Sequence, residues 1–345
     1  MINWDKNKKI HESIFDAVGN TPLVQLSRTA EGIKPKIAGK LEFFSPSGSL
    51  KDRILFRMVE AAEQRGELRP GMTIIEGTTG NTGIATAMVG AVKGYPVIIV
   101  MPEGMSEERK KTIRAYGAEL VFTKGAESDV DIVIDKVQEI KRQNPGKMWE
   151  VAQFSNQDNM TAHYQTTGPE IWEQTAGKVG AFVASQGTGG TVTGVAKYLK
   201  EKNPAIKIFA VEPAECAILS GEGWGTHRIE GIGDGFVPEV LDLQYIDGIV
   251  QTTSDESIAM AKRLAREEGI FCGISSGCNV AACRKVAEAF PGIGLIVTMI
   301  NDNGHRYFTT ELCGAPAEVE IPDREHNLSE ADQAKISRKE LIVLK

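Results

Sequence analysis

The chain has 345 residues, of which 41% are hydrophobic and 25% are charged, a length that suggests two domains or one large α/β unit. A formal net charge of −7 argues against a general nucleic-acid-binding protein, and no apolar stretch approaches the length of a membrane span. The five cysteines form no Cys-x-x-Cys pair and the five histidines are scattered, which favours reduced thiols and argues against a metal site.

The first half of the chain passes from a polar start to a regular alternation of strands and helices. Residues 1–20 contain no apolar segment of the signal-peptide type, so we expect a cytoplasmic protein. Two early strands are predicted, and apolar strands then alternate with helices from residue 72 onward. The predicted strands are 21–26, 36–42, 96–101 and 119–122, and the predicted helices are 106–116 and 130–143.

The same alternation resumes in the second half, where one predicted helix has well-marked ends. Thr253 and Glu256 have the spacing of a capping box before helix 254–268, and Gly269 follows where a helix commonly stops. The other predicted elements are strands 181–185, 207–212 and 294–300 and helices 192–202 and 279–290. Alternation of this kind indicates parallel sheets covered by helices on both faces.

A break in the alternation near residues 151–167 divides the chain into two blocks. We therefore predict an amino-terminal α/β domain over residues 1–155 and a carboxy-terminal α/β domain over residues 156–314. The early strands near residues 21–42 are candidates to pack on the second domain. Residues 315–345 are charged and contain no aromatic residue, so we predict a peripheral tail there.

Lys51 follows a loop of small, turn-forming residues at positions 45–49. A periodic apolar run with Ile54, Met58 and Ala61 comes next, which predicts that the lysine lies where a loop becomes a helix. An amine in such a place can serve as a covalent catalyst when the fold positions it and keeps it from solvent. The alternative is a solvated lysine at a helix start, and the turns downstream decide between the two.

The most informative turn is Ser-Gln-Gly-Thr-Gly-Gly-Thr at residues 185–191, which follows a predicted strand and opens a helix. Glycines let backbone N–H groups approach an anion, and a helix N-terminus adds positive potential. Two threonine hydroxyls can donate as well. The pattern matches neither of the two common nucleotide-binding loops, because Val192 breaks Gly-x-Gly-x-x-Gly and no Gly-Lys-Ser/Thr follows. We interpret it as a phosphate cradle, with a tight packing turn as the alternative.

Two further turns have the same character. Residues 76–83, Glu-Gly-Thr-Thr-Gly-Asn-Thr-Gly, offer hydroxyls and amides that suit a carboxylate or a ring substituent. Residues 273–277, Gly-Ile-Ser-Ser-Gly, lead into the predicted helix 279–290. Three such turns at the carboxyl ends of strands in doubly wound sheets describe a crevice lined with hydrogen-bond donors.

These segments together resemble one family, the cysteine synthase (O-acetylserine sulfhydrylase) and cystathionine β-synthase family of pyridoxal-phosphate enzymes of fold type II. The resemblance runs from about Asp16 to Leu312 and does not cover the tail. Five motifs carry it in family order, namely Lys51 within Ser-Leu-Lys-Asp-Arg, Gly-Asn-Thr-Gly at 80–83, Gly-Thr-Gly-Gly-Thr at 187–191, Gly-Ile-Gly at 231–233 and Gly-Ile-Ser-Ser-Gly at 273–277. It implies two doubly wound parallel-sheet domains like the tryptophan synthase β subunit, with the active site in the cleft between them.

The resemblance also implies roles for individual residues. Lys51 would hold pyridoxal 5'-phosphate as a Schiff base, Asn81 would contact the ring hydroxyl and Ser275 the pyridine nitrogen. The phosphate would be held by Gly187, Thr188, Gly189, Gly190 and Thr191. The substrate α-carboxylate would be surrounded by Thr78, Thr79, Asn81, Thr82 and Gln153, with Gly231 at the entrance.

The implied activity is β-replacement, in which L-cysteine forms from O-acetylserine and sulfide through an aminoacrylate. A neutral Ser275 beside the ring nitrogen makes a weaker electron sink than an aspartate would, which favours β-elimination over transamination. The released Lys51 amine is then the base for the Cα proton. The alternatives are a cysteine lyase that releases hydrogen sulfide, a cystathionine- or lanthionine-forming synthase, and a catalytically idle relative, against which the presence of Lys51 counts. The implied partners are an amino-acid substrate, sulfide or a thiol, and a second copy of the chain in a homodimer.

Two positions depart from the family pattern. Thr79 stands where the family usually has serine, which adds a methyl group near the substrate carboxylate. Asp234 stands where cysteine synthases tend to have a small apolar residue, and it is either a catalytic group at the mouth of the site or an exposed loop aspartate. The cysteines that flank Ser275, Cys272 and Cys278, are interpreted as packing residues. His305 and Arg306 are interpreted as surface or interface residues.

Overall fold

The computed structural model describes residues 10–124, 130–223 and 225–314, so the predicted tail over 315–345 lies outside the described residues. The strands are β1 (Leu23–Leu26), β2 (Lys36–Leu41), β3 (Thr73–Gly77), β4 (Val97–Pro102), β5 (Glu119–Thr123), β6 (Met148–Glu150), β7 (Ala181–Ser185), β8 (Lys207–Pro213), β9 (Gly248–Thr252) and β10 (Leu295–Ile300). The helices are α1 (Lys51–Gln64), α2 (Asn81–Lys93), α3 (Glu107–Ala115), α4 (Val130–Gln143), α5 (Asp158–Gln165), α6 (Thr167–Gln174), α7 (Gly190–Lys202), α8 (Ser254–Glu268) and α9 (Ile274–Ala289).

Two sheets organise these elements. Six strands form one sheet in the order β1-β2-β10-β7-β8-β9, and four form the other in the order β5-β4-β3-β6. Within the part of the chain that the structure describes, the strands pair in parallel except for β1 with β2. The α/β class predicted from the alternation is therefore confirmed.

The early strands belong to the sheet of the second half. β2 pairs in parallel with β10, with Ile37 opposite Ile296, and β1 closes that edge in antiparallel fashion. The other sheet takes its strands from residues 73–150 alone. The predicted break near 151–167 contains the short helices α5 and α6. The domain boundary at residue 155 stays a prediction.

Alternate residues of single strands show that helices cover both faces of each sheet. In β7, Val183 packs in a cluster with residues of α8 and α9, whereas Phe182 packs with residues of α7. In β3, Ile74 joins a cluster with α1 and α2, and Ile75 joins one with α4. Side chains alternate between the two faces of a strand, so both faces are buried. A ligand can therefore reach the sheets only at the strand ends, and in open α/β sheets it binds at the carboxyl ends.

Helix ends follow the sequence signals where capping is local. α8 begins after the Thr253 cap, and both hydrogen bonds of its capping box with Glu256 are present. It ends at Gly269, whose φ of 70° is the left-handed conformation that favours glycine. Among the described residues, no helix has both the length and the apolar character that a membrane span requires.

α9 begins five residues earlier than predicted. It starts at Ile274, so Ser275 and Ser276 lie in its first turn and not in a loop before it. The Ser276 hydroxyl accepts a hydrogen bond from the backbone N–H of Asn301 at 2.9 Å. A tertiary contact thus holds small, turn-forming residues in a helix, which local propensity does not reveal.

Candidate active site

A pocket collects polar side chains from the carboxyl edges of both sheets. Residues that follow β3, β7 and β10 line it, together with the start of α1. The predicted site residues in its lining are Lys51, Thr78, Thr79, Asn81, Thr82, Gln153, Gly187, Thr188, Gly189, Thr191, Gly231, Asp234 and Ser275. Gly190, at the start of α7, lies next to this lining. The fold therefore brings the separate predicted turns to one place.

Lys51 is the first residue of α1, as its sequence context predicts. The loop before it turns at Gly48, whose φ is 84°, and the Asp52 carboxylate accepts the backbone N–H of Ser47 at 2.6 Å. Ser49 Oγ accepts the backbone N–H of Lys51 at 3.3 Å. These bonds fix the direction in which the lysine leaves the backbone and enters the pocket.

Lys51 is half-buried, and its side chain lines the pocket. Among the described residues its Nζ makes no hydrogen bond and no ion pair, in contrast to Lys40, whose Nζ pairs with Glu170. Burial lowers the pKa of Lys51, and the charges of Asp234 and Asp302 oppose that shift without cancelling it. A lysine with a lowered pKa holds a larger fraction of neutral amine, which is the nucleophilic and basic form.

The glycine-rich turn at residues 187–191 has the geometry of an anion cradle. Gly189 has a φ of 81°, and α7 begins at the next residue, so the pocket lining includes the N-terminus of a helix. A Cβ atom on Gly187 would lie 2.6 Å from the carbonyl oxygen of Gly231, so only glycine permits this approach. The residues present therefore fit the phosphate group that the family resemblance implies.

The turn after β3 forms a second set of donors at the N-terminus of α2. Thr78 Oγ1 accepts the backbone N–H of Gly80 at 3.1 Å. The Thr82 hydroxyl donates to Gln153 Oε1 at 2.5 Å, which joins this turn to the segment after β6. Hydroxyls, amides and a helix N-terminus on one wall suit a carboxylate.

Asn81 is held between two charged side chains that the sequence analysis did not assign to the site. Its Nδ2 donates to Asp302 Oδ2 at 2.8 Å, and Arg306 donates to its Oδ1. The Tyr307 hydroxyl also donates to Asp302 Oδ2 at 2.8 Å. The interpretation of Arg306 as a surface residue is therefore wrong, because its side chain is buried at the edge of the site, whereas His305 is exposed.

Ser275 faces the pocket from the first turn of α9. Its Oγ accepts a hydrogen bond from Asn301 Nδ2 at 3.0 Å, and only 4% of its surface is exposed. Cys272 and Cys278 beside it are buried, and burial raises the pKa of Cys278 to about 11, so both remain thiols that pack in the core. The packing interpretation of these cysteines agrees with the structure.

Asp234 lies inside the pocket. Only 8% of its surface is exposed, it lines the same cavity as Lys51, and its charge acts on the pKa of that lysine. The alternative of an exposed loop aspartate is therefore wrong. Its loop follows glycines at 231 and 233 with φ of 87° and 70°, so backbone turns that favour glycine bring it inward.

The sequence analysis missed an ion pair in the pocket lining. Arg109, from α3, pairs with Glu230, and its guanidinium lies 4.9 Å from the ring centroid of Tyr307. Arg109 sits in a run of charged residues that is typical of a solvent-exposed helix. The signal that could have singled it out is Ile113, four positions later on the buried face of the same helix.

Comparisons with known proteins agree with this geometry. Residues 14–302 match the family described as pyridoxal-phosphate dependent enzymes. A cysteine synthase 3 from Caenorhabditis elegans is 49% identical over 299 residues, covering 86% of this chain and 88% of the relative. A cysteine synthase from Staphylococcus aureus strain Mu50 is 43% identical over 303 residues, covering 87% of this chain and 96% of the relative.

Two solved structures have the same fold over most of the chain. The cysteine synthase (OASS) of Entamoeba histolytica is 43% identical with a TM-score of 0.85, covering 91% of this chain and 94% of that one. A hydrogen sulfide-producing enzyme from Fusobacterium nucleatum is 40% identical with a TM-score of 0.83, covering 86% of this chain and 100% of that one.

Proposed function

The chain belongs to the family of pyridoxal-phosphate dependent enzymes, and from that premise we propose that it forms L-cysteine from O-acetylserine and sulfide by β-replacement. The observation that carries the proposal is the unpaired amine of Lys51, whose pKa is lowered, between an anion cradle and a second wall of hydroxyl and amide donors. Cysteine synthases among its relatives, at 49% and 43% identity, support the choice of reaction.

In this proposal each wall of the pocket has a task. Lys51 would anchor the cofactor, Asn81 would contact its ring hydroxyl and Ser275 its ring nitrogen. The phosphate would be held by Gly187, Thr188, Gly189, Gly190 and Thr191. The substrate carboxylate lies against Thr78, Thr79, Asn81, Thr82 and Gln153, with Gly231 at the entrance. When bound, the cofactor supplies an electron sink that lowers the cost of removing the Cα proton and of losing the β-substituent.

The protein's own groups supply positioning and proton transfer. The neutral amine of Lys51 can accept the Cα proton at Nζ, since burial lowers its pKa. The Thr82 hydroxyl donates to Gln153 Oε1 at 2.5 Å, so the positions of these two side chains are set before a substrate arrives. A serine at position 275 leaves the ring nitrogen without a charged partner, which favours elimination over transamination.

A product assay tests the proposal. The purified protein, loaded with pyridoxal phosphate, is offered O-acetylserine, phosphoserine, serine or cysteine, each with and without sulfide or homocysteine. We expect cysteine from O-acetylserine with sulfide at the highest kcat/KM. Failure to form cysteine from any of the activated serines would contradict the proposal, and a protein that stays colourless with the cofactor would contradict the site itself.

A second candidate function is release of sulfide from cysteine, and the buried Asp234 favours it. A carboxylate 8% exposed in the pocket can accept a proton from water or a thiol, which helps reactions that consume cysteine. The likeness to a hydrogen sulfide-producing enzyme supports keeping it. In the same assay, faster sulfide release from cysteine than cysteine synthesis would establish this activity as the main one.

The homodimer and the cytoplasmic location implied by the resemblance are further parts of the proposal. Light scattering of the purified protein measures the first. A mass of one 37.4 kDa chain would contradict it. Fractionation of the producing cells measures the second.

A further inference from the structure

α5 lies behind the phosphate loop and faces it with two polar side chains that the sequence analysis did not single out. Asn159 and His163 are four residues apart, so they lie one turn apart on the same face of the helix. Asn159 Nδ2 donates to Thr188 Oγ1 at 3.0 Å, and His163 Nε2 lies 3.1 Å from Thr191 Oγ1. Both side chains are buried, with exposed fractions of 1% and 0%. Two hydroxyls of the loop thus each contact one side chain of α5.

We propose that Asn159 and His163 are positioning residues that turn the O–H bonds of Thr188 and Thr191 toward the phosphate of the cofactor. The inference rests on the proposed function of the loop. A threonine hydroxyl can donate one hydrogen bond and accept two. When its oxygen accepts from the protein side, its own hydrogen remains for the anion.

Thr188 satisfies this condition directly. Its oxygen accepts from Asn159 Nδ2 at 3.0 Å and from the backbone N–H of Gly190 at 3.4 Å. Both acceptor sites of the hydroxyl are therefore used by donors of the protein, one on α5 and one in the loop itself. The hydrogen of Thr188 is left to point into the pocket, which Thr188 lines.

For Thr191 the direction depends on the tautomer of His163. His163 Nδ1 lies 2.9 Å from Thr167 Oγ1 on α6. When Thr167 donates to Nδ1, the proton of the neutral ring is on Nε2, which then donates to Thr191 and leaves the Thr191 hydrogen for the phosphate. With the opposite tautomer, Thr191 would donate to the ring and have no hydrogen for the anion. The proposal therefore requires the Nε2–H tautomer, which the experiment below measures.

The surroundings keep the ring neutral. Burial lowers the pKa of His163 well below its usual value, and the positive charges of Arg53 and Lys51 lower it further against the opposing charge of Glu170. A charged imidazolium would donate at both nitrogens, whereas the neutral ring holds one defined donor and one defined acceptor. The side chain is also fully buried, with 0% of its surface exposed.

Three variants distinguish an effect of the His163 tautomer on cofactor binding from a purely structural role of the side chain. A glutamine at 163 can place an amide N–H near the position of Nε2, whereas an asparagine reaches only the position of Nδ1. Thr167→Val removes the hydroxyl that sets the tautomer and leaves the ring in place. We expect about a tenfold or greater loss of affinity for pyridoxal phosphate in His163→Asn and Thr167→Val, and a smaller loss in His163→Gln, as befits one hydrogen bond to a charged group.

The phosphate-free analogue pyridoxal is the internal control. The affinity for pyridoxal should stay within about twofold of the parent in all three variants, because the Thr191 hydroxyl, whose direction they change, would contact only the phosphate. The matched surface control is Thr161→Val, on the same helix, where the lost hydroxyl bonds the carbonyl of Gln157. The ³¹P resonance of the bound cofactor and the ¹⁵N resonances of the His163 ring, assigned by comparison with His163→Gln, report the loop and the tautomer without any turnover.

The possible results are distinct. Equal loss of pyridoxal and pyridoxal-phosphate affinity would overturn the inference, since it would indicate a structural role alone. Unchanged affinities in His163→Asn, or ¹⁵N shifts that place the proton on Nδ1, would overturn it as well. A parent protein that does not prefer pyridoxal phosphate over pyridoxal would instead contradict the proposed function of the loop.

Discussion

Two lysines separated by eleven positions, Lys40 and Lys51, have opposite surroundings. Lys40 Nζ is fully satisfied, with Glu170 Oε2 at 2.7 Å, the carbonyl of Thr21 at 3.0 Å and Gln174 Oε1 at 3.0 Å. Lys51 Nζ faces the pocket without a hydrogen bond or an ion pair among the described residues. Burial lowers the pKa of both, against carboxylates that raise it. A lowered pKa therefore does not separate a structural lysine from a reactive one, whereas the hydrogen-bond and ion-pair partners of the amine do.

The surroundings of Lys40 form a buried charge cluster, which we define as Lys40, Glu42, Arg53 and Glu170. Arg53 contacts both carboxylates, with its Nε at 2.7 Å from Glu42 Oε2 and its Nη1 at 2.7 Å from Glu170 Oε1. The cluster ties β2, α1 and α6 together, two turns or less from the start of the helix that carries Lys51. The paired charges of this cluster connect elements of the scaffold, whereas the unpaired amine of Lys51 lines the pocket.

The largest expected effect comes from removing the unpaired amine. Lys51→Ala should lower kcat by at least about 10⁴-fold, because the covalent anchor and the base for the Cα proton disappear together. The free energy of unfolding should not fall, since no partner of Nζ is left unpaired. Borohydride reduction of the parent followed by peptide mapping should place the cofactor on Lys51, and a reduced adduct on another lysine would contradict the assignment.

Breaking the buried charge cluster should have the opposite effect, a loss of stability with little loss of activity. Arg53→Met leaves Glu42 and Glu170 buried with too few partners and should lower the free energy of unfolding by about 3–5 kcal/mol. Urea denaturation measures this effect, and kcat of the folded fraction should stay within about threefold of the parent.

Arg65→Met is the matched control for that substitution. Arg65 pairs with Glu67 at 2.7 Å and Asp158 at 2.8 Å, but its side chain is 45% exposed. Solvent screens such pairs, so Arg65→Met should lower the free energy of unfolding by at most about 1 kcal/mol. Equal costs for Arg53→Met and Arg65→Met would show that burial does not distinguish the two pairs.

The pH dependence of stability gives a finer test of the cluster. Burial alone would raise the pKa of Glu170, but the hydrogen bonds and charges of Arg53 and Lys40 lower it to about 2. Because the folded value lies below the unfolded value, this stabilisation is present above about pH 4.5 and is lost as the pH falls toward 2. This contribution of Glu170 to the free energy of unfolding is on the order of 3 kcal/mol.

Glu170→Gln removes that titration. Unfolding measured in urea between pH 2.5 and pH 6 should show a shallower fall on the acid side than the parent shows. A parallel slope in both proteins would contradict the lowered pKa. Glu63→Gln is a suitable control, because Glu63 pairs with Lys93 but its side chain is 29% exposed, compared with 15% for Glu170.

The same contrast explains which parts of the molecule the sequence predicts. The bounds of α8 follow from Thr253, Glu256 and Gly269, since capping is a local property of the chain. The position of Lys51 at a helix start also follows from its neighbours in sequence. The start of α9 does not, because the contact between Ser276 and Asn301 that extends the helix joins residues 25 positions apart.

Charged residues of the site were the hardest to predict. Arg306 and Arg109 belong to segments that look solvent-exposed in sequence, yet their partners Asn81 and Glu230 lie more than 100 positions away. The sequence did not single out His163 either, because its two hydroxyl partners, Thr167 and Thr191, lie on two other helices. Sequence patterns report periodicity and local turns, whereas the pairing of polar groups depends on how the two sheets meet.

Asp234 gives the smallest expected effect and bears most directly on the reaction. Its carboxylate lies in the pocket with Lys51, so it can oppose an anionic nucleophile such as hydrosulfide by like-charge repulsion. With solvent reaching the site, that repulsion is about 1 kcal/mol at contact distance, or roughly fivefold in rate. Asp234→Asn keeps the shape and removes the charge and the base. Cysteine synthesis from O-acetylserine should therefore rise about fivefold relative to sulfide release from cysteine.

The pH profile of that variant is an independent check. The charge of Asp234 raises the pKa of Lys51, so its removal should lower that pKa further. The neutral amine then persists to lower pH, and the acid limb of the rate profile should move to lower pH in Asp234→Asn. Both rates and the profile are measured on the cofactor-loaded protein, with Asp242→Asn, on a neighbouring exposed turn, as the control. If the product ratio and the acid limb both match the parent, Asp234 acts on neither the nucleophile nor Lys51, and the second candidate function loses its structural support.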